Sequence, residues 1–122
     1  MTLRQALHSV LASQEELTAD EERLDSASQV GCSAVSDLAN RKRATVSGVM
    51  RSVILRPREG VPTVEAELYD GSGSLDLVWL GRRQIAGVEP GRRVRVEGLV
   101  CEIAGRRTMF NPRYELRPRA GE

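Results

Sequence analysis

Residues 69–83 read YDGSGSLDLVWLGRR, and the alternation in this stretch decides the fold. After an Asp-Gly step and a second glycine, Leu75, Leu77 and Trp79 fall on one side of an extended chain, opposite Asp76, Val78 and Leu80. A side-chain period of two marks a strand with one face toward a core. The preceding TVEAELYD (63–70) alternates in the same way, with Val64, Ala66 and Leu68 opposite Glu65, Glu67 and Tyr69. Two such runs joined by Asp70-Gly71 and Gly73 predict a hairpin, because glycine accepts the positive φ of a tight turn.

Working outward, RATVSGVMRSVIL (43–55) is β-rich and REGVP (58–62) forms a turn before the hairpin. RRVRVEGLVCEI (92–103) is a long fourth strand, and AGRRTMFNPRYEL (104–116) gives a turn and a less regular fifth. GRRQIAGVEPG (81–91) reads as a short helical insertion or loop between the third and fourth strands. Gly48 and Gly98 sit inside the two longest strands, where a bulge or bend lets one strand pair with both neighbours of a small barrel. Five strands with that insertion predict an OB-fold, a five-stranded Greek-key barrel. Val46, Val64, Ala66, Leu68, Leu75, Leu77, Val94 and Val96 are the expected inward residues. The fold class is thus all-β with a helical N-terminal extension, divided as residues 1–40 (acidic helical extension and linker) and 41–119 (barrel).

In the extension, Leu3, Leu7, Val10 and Leu11 share one helical face, and Leu17 and Leu24 continue a seven-residue spacing. Ala6, Ser13 and Asp20 at the intermediate positions argue against a coiled coil. TADE (18–21) reads as a capping box that starts a second short helix. DSASQVGCSAVSD (25–37), rich in small polar residues, reads as a linker.

A chain of 122 residues suits one domain with one core. Its 40% apolar and 29% charged residues are those of a soluble globular protein. No apolar run reaches the roughly 20 residues of a membrane helix, and the first residues lack the features of a secretion signal, so a cytoplasmic location is expected. With Cys32 and Cys101 the only cysteines and His8 the only histidine, no zinc-ligand spacing exists. Free thiols are expected, and no nucleophile–base arrangement is legible. No catalytic residue, metal or cofactor is expected; the chain does not read as an enzyme.

The net charge of +1 hides an asymmetry: residues 1–40 carry −5 and residues 41–122 carry +6, with Lys42 the only lysine. Opposite-signed halves mark many nucleic-acid binders. Equally, the halves can neutralise each other in the folded protein.

ATVSGVM (44–50), AELYDGSGSLDLVWLGR (66–82), PGRRVRVEGLV (90–100) and FNPRYEL (110–116) together resemble OB-fold domains of the anticodon-binding and helicase type. The nearest resemblance is to the wedge domain of RecG-type helicases, over about residues 35–117. It rests on the D-G-S-G turn, the P-G-x-x-V-x-V-x-G strand and the proline-tyrosine C-terminal strand, with SAVSDLANRKRATVSG (33–48) as lead-in. The resemblance implies a DNA-binding role, with aromatics acting at a branch point. No motor motifs accompany it, so the expectation is a stand-alone bacterial module.

Single-strand-binding OB faces combine stacking aromatics with basic groups. Trp79, beside Leu75 and Leu77, reads as core. Tyr69, Phe110 and Tyr114 are the candidate stacking residues, and Arg56, Arg58, Arg82, Arg83, Arg106, Arg107 and Arg113 the candidate phosphate ligands, because arginine suits phosphate geometry. Glu65, Glu67 and Asp76 count against this face, since carboxylates repel phosphates. The expected partner is single-stranded or branched nucleic acid, DNA or RNA. The alternative is a protein-interaction domain using the acidic face and N-terminal helix, with a partner protein or self-association through residues 1–25.

Overall fold

The hairpin forms as its alternation requires, and the other strands close around it. A computed structural model describes residues 16–118. The strands are β1 (Arg43–Leu55), β2 (Thr63–Tyr69), β3 (Ser74–Leu80), β4 (Arg93–Ile103), β5 (Arg106–Phe110) and β6 (Arg113–Leu116). The pairing runs β1-β2-β3-β5-β4, and β4 returns to β1, so the sheet is closed; β3 and β5 are parallel and the other pairs antiparallel. This is the strand order of an OB barrel. β5 and β6 are one fifth strand broken at Asn111-Pro112. β5 pairs with Val100 to Ile103 and β6 with Val94 to Glu97 of the same β4.

All eight expected inward residues are buried, joined by Met50, Val100, Met109 and Trp79. The Trp79 indole N–H donates to Pro112 O at 3.1 Å, which satisfies its one polar atom.

Gly48 marks the point where β1 changes partner. Residues up to Val49 pair with β4, and residues from Val49 onward pair with β2. A Cβ on Gly48 would lie 2.5 Å from Tyr69 O, so only glycine fits this crossing. The bulge itself falls at Arg51, between the Met50 and Ser52 pairs.

Three local expectations are corrected. Residues 81–92 contain no helix. Gly81, Gly87 and Gly91 all have positive φ, which a helix cannot accommodate, and the loop instead inserts Ile85 and Val88 into the core. Thr18 is not a helix start: residues 16–27 are helical (α1), with Thr18 inside. Docking against the barrel stabilises a helix of this length, which is marginal alone in water. The stretch read as a linker is also part of the fold. Val35 is fully buried in a 3-10 turn (Val35–Asp37), Ser33 N donates to Thr45 O, and Leu38 joins the core. The stripe of Leu3, Leu7, Val10 and Leu11, and His8, lie outside the described residues. No helix among the described residues is long and apolar enough to cross a membrane. Cys32 and Cys101 are both free and half-buried.

Candidate nucleic-acid interface

The alternation that buries one side of the hairpin presents the other side outward. Glu65 and Glu67 from β2, Asp76 and Val78 from β3, Ser52 and Ile54 from β1, and Arg106, Thr108 and Phe110 from β5 line one groove of about 360 Å³. The β1–β2 loop adds Arg58, and the β4–β5 turn adds Ala104. Glu59 and Gly60 both take positive φ at the tip of the β1–β2 loop, and Arg58 pairs with Val61 across it. That tight primed turn folds Arg58 back toward the sheet.

The charges in the groove are arranged in pairs. Arg58 Nε donates to Glu65 at 2.8 Å, and Arg56 lies 3.8 Å from the same carboxylate. Arg106 grips Asp76 with two hydrogen bonds of 2.6 and 2.9 Å and sits 3.5 Å from Glu67. The hydrogen bond to Asp76, reinforced by its charge, raises the Arg106 pKa above its already high ordinary value. Ile54, Ile103 and Phe110 line the same groove, exposed by 43%, 49% and 39%.

Of the residues singled out in the sequence, Arg58, Arg106 and Phe110 meet in this groove, and Arg56 reaches it through Glu65. Arg107, one residue from Arg106, points the other way and donates to Ser36 O and Leu38 O, so it ties down the 3-10 turn. Tyr69 lies at the far end of β2 beneath the Arg51 guanidinium, whose carbon is 3.4 Å from the ring centroid. Tyr114 meets Trp79 edge-on with centroids 6.0 Å apart, and its hydroxyl donates to Ala86 O. Arg82, Arg83 and Arg113 are exposed and make no ion pair or side-chain hydrogen bond with another described residue.

Arg51, Ile54 and Ile103 were missed by sequence reasoning. No local pattern marks Arg51, because its partner sits in another strand. Ile54 and Ile103 were legible only as apolar strand residues.

The helix occupies a separate surface. Glu22 accepts from Arg93 at 2.8 Å, and Asp25 accepts from Arg117 at 2.6 Å and lies 3.4 Å from Arg93. The hydrogen bond that Arg93 donates to Glu22 raises the Arg93 pKa. The hydrogen bond from Arg117 lowers the Asp25 pKa, although burial opposes it. Of the two readings of the charge asymmetry, mutual neutralisation therefore accounts for Glu22 and Asp25. Among the described residues, no group of three or more His, Cys, Asp or Glu side chains could hold a metal.

No protein-family model matches the chain, and no curated protein does. Solved structures do. RecG bound to a three-way DNA junction superposes with a TM-score of 0.60 and 24% identity over 74% of this chain, which spans 13% of that chain's length. A replication protein A heterotrimer bound to single-stranded DNA gives 0.50 and 18%, covering 66% of this chain and 62% of that one. The solution structure of a replication factor A related protein from Methanobacterium thermoautotrophicum gives 0.53 and 14%, covering 70% and 90%. The fold of this chain is theirs, an OB-fold.

Proposed function

We propose that the chain is a non-enzymatic OB domain that binds single-stranded or branched DNA, with RNA as the competing strand type, along the groove of β1, β2, β3 and β5. One observation carries the reading. The groove leaves Phe110, Ile54 and Ile103 exposed alongside arginines delivered by β5 and the β1–β2 loop. Exposed apolar side chains that include an aromatic, beside guanidinium groups, suit unpaired bases, which present a flat apolar face beside hydrogen-bonding edges. The structures of like fold that hold a DNA junction or single-stranded DNA support the same reading. The rival reading, a basic protein partner on the acidic sheet face, has less support, because Glu65, Glu67 and Asp76 each already face an arginine.

Fluorescence anisotropy with labelled single-stranded, duplex and forked DNA and single-stranded RNA, at low salt, tests it. Single-stranded or forked ligands should bind more tightly than duplex. Absence of binding to every form would overturn the reading.

A further inference from the structure

Resting on the nucleic-acid reading above, we propose that the groove grips nucleobases rather than phosphates, and that the phosphates are held by the unpaired Arg82, Arg83 and Arg113 beside its Phe110 end.

The argument begins with charge. Arg56, Arg58 and Arg106 face Glu65, Glu67 and Asp76, three against three, so the groove carries no net charge to draw in a phosphate. A phosphate reaching Arg106 would compete with a two-point contact from Asp76 and would approach Glu67 as well. Like-charge approach cancels most of what such a contact gains. A base meets no such penalty. Arg106 offers its edge to Asp76 while its side chain stays 56% exposed, so the planar faces of the guanidinium are the part open to stacking. The carboxylates retain lone pairs that accept from base N–H donors, the imide N–H of thymine among them, and a base beside Arg106 meets the exposed Phe110 ring or the apolar side chains that line the same groove.

The unpaired arginines are tied to the same end of the groove. Val78 pairs with Phe110, Asn111 N donates to Val78 O, and Leu80 N donates to the Asn111 side chain. Arg82 and Arg83 follow Leu80 directly after Gly81, and Arg113 follows Asn111 and Pro112. A strand leaving the groove past Phe110 meets Arg82 and Arg83, which no carboxylate engages, and Arg113, which forms no ion pair although Glu97 is its neighbour across β4.

Salt titrations with a labelled oligothymidylate and its abasic counterpart, which keeps the phosphates and lacks the bases, separate the two roles. Each phosphate contact on a single strand contributes about −0.7 to the slope of log affinity against log salt, so the wild-type slope should be about −2. The double variant Arg82→Gln/Arg83→Gln should flatten it by about 1.4 on both ligands. Arg106→Gln, and independently Arg58→Gln, should weaken oligothymidylate binding on the order of tenfold, the scale of one lost stacking contact, with the slope unchanged and no effect on the abasic strand. Slope losses of about 0.7 for Arg106→Gln and Arg58→Gln, on both ligands, would overturn the division of roles while leaving nucleic-acid binding intact. No binding by the wild-type protein at low salt would instead overturn the reading on which the division rests.

Discussion

Asp70 and Gly71 join the hairpin to everything N-terminal of it. The buried Asp70 carboxylate accepts from Val35 N at 2.8 Å, Ser72 N at 2.9 Å, Ser72 Oγ at 2.7 Å and Gly73 N at 3.1 Å. It holds the β2–β3 turn with one oxygen and the 3-10 turn with the other. Asp70→Asn keeps the shape but turns an amide N–H₂ toward one of these donors, and denaturant unfolding should register a loss of about 2–3 kcal/mol. Gly71, at φ +88°, lies so close to the Ala19 carbonyl and the Arg23 backbone that any Cβ would collide with them. Trp79 belongs to the barrel interior. Trp79→Ala should cost about 3–5 kcal/mol, because it opens a cavity and leaves Pro112 O without its donor. A melting temperature unchanged by that substitution would contradict its core placement.

α1 is held to the barrel chiefly by charge and hydrogen bonds. Arg23 donates to Gly71 O, Ser26 to Asp70 O, and Glu22 and Asp25 accept from Arg93 and Arg117. The lowered pKa of Asp25 means that the unfolded chain takes up this proton before the folded one does. Its contribution is full above the ordinary value of 3.8 and disappears as the pH falls further, through the lowered folded-state pKa. Asp25→Asn should lower stability at neutral pH by about 1.5–3 kcal/mol, the scale of a hydrogen bond to a charged group, and remove that part of the acid dependence. An acid-unfolding curve with the same shape in wild type and variant would show that the ion pair does not contribute. On the opposite face of α1, Leu17 and Leu24 are exposed by 63% and 74%, so the seven-residue spacing seen in the sequence is not what seats the helix.

At the scale of the whole molecule, the acidic segment is a counter-charge for the arginine-rich barrel. Removing residues 1–28 deletes six carboxylates and two arginines and raises the net charge from +1 to +5. Arg93 and Arg117 then lose their partners. The truncated protein should melt at a lower temperature and bind single strands with a steeper salt dependence than the full chain, since freed arginines release further counterions on binding. Calorimetry and salt-titrated anisotropy on the two chains check both halves of this expectation.

The sequence by itself determined the barrel. A period of two assigns Val64, Ala66, Leu68, Leu75 and Leu77 to the core whatever surrounds them, and the Asp-Gly turn sets the hairpin, because both are properties of neighbouring residues. The resemblance over residues 35–117 pointed to the same fold. Only the tertiary structure decided which charges are engaged. Arg106 and Arg107 are adjacent and chemically identical, yet one pairs with Asp76 in the groove and the other anchors residues 36–38. The carboxylates that count against a nucleic-acid face are neutralised by arginines from β5 and the β1–β2 loop, and Tyr69 is covered by an arginine at a bulge in β1. Such partners are brought together by chain closure, and the Coulomb and stacking energies that join them depend on distance in space, which no local spacing encodes.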